Sequence, residues 1–116
     1  MHELGLVVDL VDMVEKIAEE KKIEKVRKVT LDVGQVYMVI PRLMYGVFRQ
    51  ASRGTRLEGA ELVLNEIAAE ALCQNCSKSF NPLNEDGVCP NCGESEYQVR
   101  AGKEFEIREI EVLPGE

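Results

Sequence analysis

The chain has 116 residues, 45% of them hydrophobic and 30% charged, with a formal net charge of −7. Such a composition suits one domain of ordinary size, or a small core carrying a metal-stapled insert, and no run nears the roughly 18 apolar residues of a membrane span. The negative charge opposes nucleic-acid phosphate, whose attraction dominates non-specific binding.

The first predicted element is a helix from about Leu4 to Lys22. Leu4, Val7, Val8, Val11, Val14 and Ala18 recur at helical spacing, widened by Leu10 and Ile17, while Asp9, Asp12, Glu15, Lys16 and Glu19 fall on the other side. The stretch Leu4–Val14 is broken by two aspartates and lacks a basic lead, so it does not read as a signal peptide, and the expected location is the cytoplasm. Val26–Val33 alternates, with Val29, Leu31 and Val33 on one face, as a half-buried strand does. Gln35–Ile40 is ambiguous between strand extension and loop. Pro41 fits the first position of a second helix running to about Arg53, with Leu43, Met44, Val47, Phe48 and Ala51 as its apolar stripe and Gly54 as its stop. Arg42, Arg49, Arg53 and Arg56 read mainly as a solvated face, with a docking surface for an acidic partner as the sharper alternative. Met13, Met38 and Met44 read as gap-filling core. Glu61–Ile67 is a second strand and Glu104–Leu113 a last one, whose apolar phase slips at Arg108–Glu109 as a β-bulge would make it.

Between those strands lie all four cysteines, as Cys73-Gln-Asn-Cys76 and Cys89-Pro-Asn-Cys92. A tight turn brings both sulfurs of a Cys-x-x-Cys pair to one side, and two such turns supply the four ligands at about 2.3 Å that tetrahedral zinc requires. Gly93 suits a turn that needs positive φ. Two disulfides, a redox-active pair and a tetrahedral iron site use the same residues and stay open on spacing alone, structural zinc being the reading the spacing favours. The order helix, strand, helix, strand, ribbon, strand points to an α+β fold. Two helices pack on a small mixed β-sheet, with an inserted zinc ribbon. Residues 1–67 and 103–116 would form one domain and 68–102 the ribbon domain.

The chain has one histidine, His2. Neither a two-histidine catalytic zinc site nor a Ser-His-Asp triad with a buried histidine can be built from it. The Met1 amine, the His2 amide nitrogen and the His2 imidazole can instead close fused chelate rings on one ion, with the amide or carboxylate of Glu3 near enough for a fourth position. Near-planar nitrogen coordination is what Ni²⁺ and Cu²⁺ prefer. The plainer reading of His2 is a frayed terminal residue.

Met1-His2-Glu3-Leu4 at the head of a helix resembles the start of the nickel-insertion accessory proteins of hydrogenase maturation, the HypA/HybF family. The likeness continues, in order, through Leu31-Asp32-Val33-Gly34, Pro41-Arg42-Leu43 with Phe48, and Gly59-Ala60-Glu61-Leu62. Cys73-x2-Cys76, Cys89-x2-Cys92-Gly93, Gly102-Lys103-Glu104-Phe105 and Ile110-Glu111-Val112 follow. The resemblance implies a metallochaperone rather than an enzyme. Met1, His2 and Glu3 would be the donors to a transported Ni(II), and Cys73, Cys76, Cys89 and Cys92 would hold a structural Zn(II). It further implies a partner GTPase of hydrogenase maturation and delivery to the large subunit of [NiFe]-hydrogenase, or in some organisms to urease. This chain departs from the family at Gly5, where Ser or Thr is common, and in having no histidine near the ribbon to serve as a further nickel donor. Two other readings compete: a zinc-ribbon module that binds protein or nucleic acid, and a metalloenzyme.

Overall fold

A computed structural model describes residues 2–83 and 86–113. In chain order the elements are α1 (Glu3–Glu20), β1 (Val26–Gly34), a 3-10 turn (Gln35–Tyr37), α2 (Pro41–Ala51), β2 (Glu61–Ile67), β3 (Glu70–Cys73), β4 (Ser79–Phe80), β5 (Tyr97–Ala101) and β6 (Phe105–Val112). The strands form two three-stranded sheets, ordered β2-β1-β6 and β4-β3-β5. The α+β architecture read from the sequence is present, and the cysteine-bearing insert carries a sheet of its own. The chain divides into two compact units: Met1–Leu31, Val39–Leu64 and Ile107–Glu116 make the first, and Asp32–Met38 with Asn65–Glu106 the second.

In the first unit α1 packs against α2. The stripe buried from α1 is Val7, Leu10, Val11, Val14 and Ala18, joined by Met44 and Phe48 of α2, Val26, Val29 and Leu31 of β1, and Leu57 and Leu62. Each of these side chains larger than alanine contributes about 1.5–3 kcal/mol when taken from water. Leu4 and Val8, expected on this stripe, are 58% and 41% exposed. At 3.6 residues per turn they lie on the flank of the face that Val7 and Leu10 centre. α1 ends in a reciprocal pair of bonds: the Lys22 N–H donates to the Glu19 carbonyl at 3.3 Å and the Ile23 N–H to the Ala18 carbonyl at 2.8 Å. Lys22 takes the left-handed conformation this closure demands, φ 57. Pro41 opens α2 as expected, and that helix stops at Ala51, short of Gly54. Arg56 lies beyond the helix. Its guanidinium donates to Glu15 at 2.8 Å, which removes it from the arginine stripe and ties the loop after α2 to α1.

The second unit is built on β3, which pairs antiparallel with β4 and with β5. A core cluster in it is Ala71, Cys73, Phe80 and Cys89, with Cys76 and Tyr97 against it. Phe80 and Tyr97 meet edge-on at 5.3 Å between ring centroids. Gly34 and Gly102 approach so closely that a Cβ on Gly34 would run into the Gly102 carbonyl, and one on Gly102 into the Ala69 backbone. The Gln35 side-chain oxygen accepts from the Ala69 N–H at 2.8 Å and from the Asn81 amide at 2.9 Å.

Two further expectations need correction. β1 alternates only at its start: from Leu31 onward every residue is buried, Asp32 included, so both faces of the strand are covered in that half. Asp32 accepts from the Asn65 side-chain amide at 2.9 Å, which answers its burial. Met38, read as core, is 69% exposed, having φ 51 at the end of the 3-10 turn.

Candidate metal centres

The ribbon's two Cys-x-x-Cys segments fold as the same turn twice. The Cys73 N–H donates to the Lys78 carbonyl at 2.9 Å and its carbonyl accepts from Ser77 at 3.1 Å. The Cys89 N–H donates to Glu94 and its carbonyl accepts from Gly93, both at 2.8 Å. The residue after each second cysteine is left-handed, with φ 65 at Ser77 and 80 at Gly93. Inside each turn the N–H of the asparagine points at the first sulfur: Asn75 to Cys73 and Asn91 to Cys89, both at 3.4 Å.

The two turns bring the four sulfurs together, all within 4.8 Å of one another. The closest pairs across the turns are Cys73–Cys92 at 3.5 Å and Cys76–Cys89 at 3.6 Å. A tetrahedron with bonds of about 2.3 Å has edges of about 3.8 Å, so the cluster is sized for a four-coordinate ion. Cys73 and Cys89 are buried, Cys76 is partly so and Cys92 is exposed. The Cys76 thiol is lowered to about 6, first by the side-chain amide of Asn91 and then by the Lys78 N–H. Four thiolate donors with no opening for substrate suit a structural Zn²⁺, which draws on both turns at once. Asn75 and Asn91 were not singled out by the sequence reading. The signal was there, because asparagine occupies the same place in both Cys-x-Asn-Cys segments.

At the other end of the chain, His2 is the N-cap of α1, exposed, with its carbonyl accepting from the Leu6 N–H at 3.1 Å. Its imidazole makes no capping bond to the helix. An α-helix leaves its first-turn N–H groups without an intrahelical acceptor, so the amide nitrogens beside His2 are not committed to the helical ladder. Glu3, by contrast, is 3% exposed. Its carboxylate Oε2 accepts from the Ile40 N–H at 2.9 Å, tying the head of α1 to the residue before α2. Hydrogen bonding from the chain's amino-terminal amine, followed by that Ile40 bond, lowers the Glu3 carboxyl to about 2. Met1 lies outside the described residues.

A small α+β fold that joins a closed four-sulfur cluster to an exposed histidine at a helix start defines a metal-handling protein with one structural metal site. The chain matches the family described as "Hydrogenase/urease nickel incorporation, metallochaperone, hypA" over residues 1–112. It is 34% identical over 112 residues to a hydrogenase maturation factor HypA of Rhodopseudomonas palustris, covering 97% of this chain and 99% of that one. A HypA of Caldanaerobacter subterraneus is 37% identical over 113 residues, at 97% and 99% coverage. The fold matches the solution structure of the Ni metallochaperone HypA from Helicobacter pylori with a TM-score of 0.70 at 24% identity, over 99% of this chain and 100% of that one. A second solution structure, of a HypA protein, gives 0.69 at 25% identity over 97% of each. The chain belongs to the HypA family of nickel metallochaperones of hydrogenase maturation.

Proposed function

We propose that this chain binds Ni²⁺ at its amino terminus, through Met1, His2 and Glu3, and hands it on for the maturation of [NiFe]-hydrogenase. The observation that carries the reading is the separation of donors. His2 stands exposed at the head of α1, while all four thiols are taken up in one closed cluster. Nickel then leaves by ligand exchange at exposed nitrogen donors, and zinc stays where four sulfurs surround it. Since its carboxylate is engaged by Ile40, Glu3 contributes most simply through its amide nitrogen and its negative charge. That charge offsets the positive end of the helix dipole, which otherwise disfavours a cation there.

Residues 1–67 and 103–116 serve nickel in this proposal, and 68–102 are the ribbon held by Cys73, Cys76, Cys89 and Cys92. The chain acts without catalysis of its own, in the cytoplasm, beside a maturation GTPase and the hydrogenase large subunit. Among the described residues no helix is long and apolar enough to cross a membrane. Family membership favours this reading over a ribbon that binds protein or nucleic acid as its main task.

The test is a nickel titration with zinc counted alongside. His2→Ala should lose nickel and keep one zinc per chain by elemental analysis. One extra residue before Met1, which turns the amine into an amide, should weaken nickel binding strongly with His2 still present. Loss of zinc together with nickel would mean the two metals share ligands. Equal affinity in the extended chain would remove the amine from the donor set.

A further inference from the structure

The two cysteine turns are linked by more than the metal. The Asn75 side-chain amide, in the first turn, donates to the Cys92 sulfur of the second at 3.6 Å. The Asn91 amide, in the second turn, donates to the Cys76 sulfur of the first at 3.4 Å. Each asparagine also points its backbone N–H at the first sulfur of its own turn, at 3.4 Å in both cases. Each asparagine therefore reaches one sulfur of its own turn and one sulfur of the other. A turn of this kind needs only its backbone N–H groups to present two thiolates on one side, so the crossed side-chain bonds are additional to what metal capture requires.

Their geometric effect follows from the shapes of the two candidate ions' sites. In a tetrahedron the edge between the two sulfurs of one turn is perpendicular to the edge between those of the other. In a square plane the two edges lie in one plane. Zn²⁺ has no d-electron preference and accepts the tetrahedron, whereas Ni²⁺ favours the plane. Passing from one to the other rotates one turn against its neighbour by up to a right angle. Bonds that run from each turn to a sulfur of the other break under that rotation.

We propose that Asn75 and Asn91 act as a crossed clasp that selects the tetrahedral metal, so that cargo nickel is kept out of the ribbon. They are positioning residues, acting through the sulfurs they hold. The clasp matters because the proposed function puts two divalent ions on one chain, and four thiolates bind both. The inference rests on that two-metal reading, and the test is done in the His2→Ala background, so that failure of the amino-terminal site does not enter it.

The measurement compares the full-length His2→Ala protein with the same protein carrying Asn75→Ala and Asn91→Ala. Free nickel and free zinc are each held by chelating buffers. The quantity read is the nickel-to-zinc ratio at which half of the ribbon sites carry nickel, from the sulfur-to-nickel charge-transfer absorption and from elemental analysis. Changes around a metal's ligands commonly cost about 10- to 100-fold in affinity. Here the zinc affinity should fall by about tenfold or more while nickel affinity holds or rises, and the half-exchange ratio should fall accordingly. A Co²⁺-loaded sample should lose intensity in its tetrahedral d–d bands. If both metals weaken by the same factor, or neither changes, the clasp does not select and the proposal is wrong. Should the double variant fail to load zinc, Asn91→Asp alone replaces the donor by an isosteric acceptor and gives the same comparison.

Discussion

Glu3 is the residue whose sequence neighbourhood and structural surroundings point to different work. Beside His2 it reads as a nickel donor; in the fold its carboxylate is buried and spoken for by Ile40. Glu3→Gln keeps an oxygen acceptor for that N–H and loses the charge, while Glu3→Ala leaves the N–H facing no side-chain acceptor. Glu3→Ala should lower the midpoint of urea unfolding, followed by the helix signal, more than Glu3→Gln does. The pH dependence has a definite sign. The carboxyl is lowered to about 2 in the folded chain, so the charge stabilises above the unfolded value of about 4.3 and that contribution fades as pH falls toward about 2. The stability gap between wild type and Glu3→Gln should therefore be full at pH 6 and close across that window. Gly102 gives a steric counterpart. It combines φ +91 with contact against the Ala69 backbone, whereas Gly59 has φ +81 and open space around it. Gly59→Ala should cost about 1 kcal/mol in urea unfolding, and Gly102→Ala about 3 kcal/mol or more, since backbone cannot step aside.

Among the elements, the end of α1 is suboptimal in an instructive way. Lys22 occupies the left-handed position of a closure that glycine fills best. Lys22→Gly removes the strain of about 1 kcal/mol but loosens the unfolded chain, so a net gain of about 0.5 kcal/mol is expected. A chemical-denaturation midpoint at or below that of wild type would contradict it. The elements with a strong period were legible in the sequence. α1, β1 and β2 appeared because Val7, Val11 and Val14, or Val29 and Leu31, repeat at the spacing of their element, and α2 because Pro41 marks its start. The gathering of the four cysteines into one cluster was legible because Cys-x-x-Cys spacing encodes a turn directly. The ribbon's own strands were not. β4 is two residues long and β3 four, too short to show a period, and they exist because β3 can pair on both sides. Nor could the sequence show that Glu3 turns inward, since its partner is the backbone of a residue far along the chain, or that Asp32 is buried, since that depends on what covers the second face of β1.

For the molecule as a whole, the buried cluster around the cysteine turns is small, Ala71, Cys73, Phe80 and Cys89, with two of its members cysteines of the candidate metal centre. So little apolar burial makes metal binding a large part of the ribbon's folding free energy. Removing zinc with a strong chelator, or replacing Cys76 by Ser, should unfold Leu72–Gly93 while α1 and α2 persist. Hydrogen exchange would show this as lost protection at Cys73, Cys89 and Gly93, whose N–H groups close the turns, with protection retained at the α1 amides. Loss of the helical signal in the same step would mean that the helices depend on the metal.

The strand order β2-β1-β6 carries a consequence for the newborn chain. β1 ends at Gly34 and its neighbour β6 begins at Phe105, so one flank of the central strand is filled only by an element translated after the whole ribbon. Both cysteine turns and all three ribbon strands leave the ribosome first. During that interval the ribbon can take its metal and close, whereas β1 waits with unsatisfied peptide groups along one side. Contacts between segments so distant in sequence are slow to form, and an unpaired edge in the meantime is open to pairing with other chains. The helices α1 and α2, already made, are what is available to cover the apolar side chains of β1 until β6 arrives.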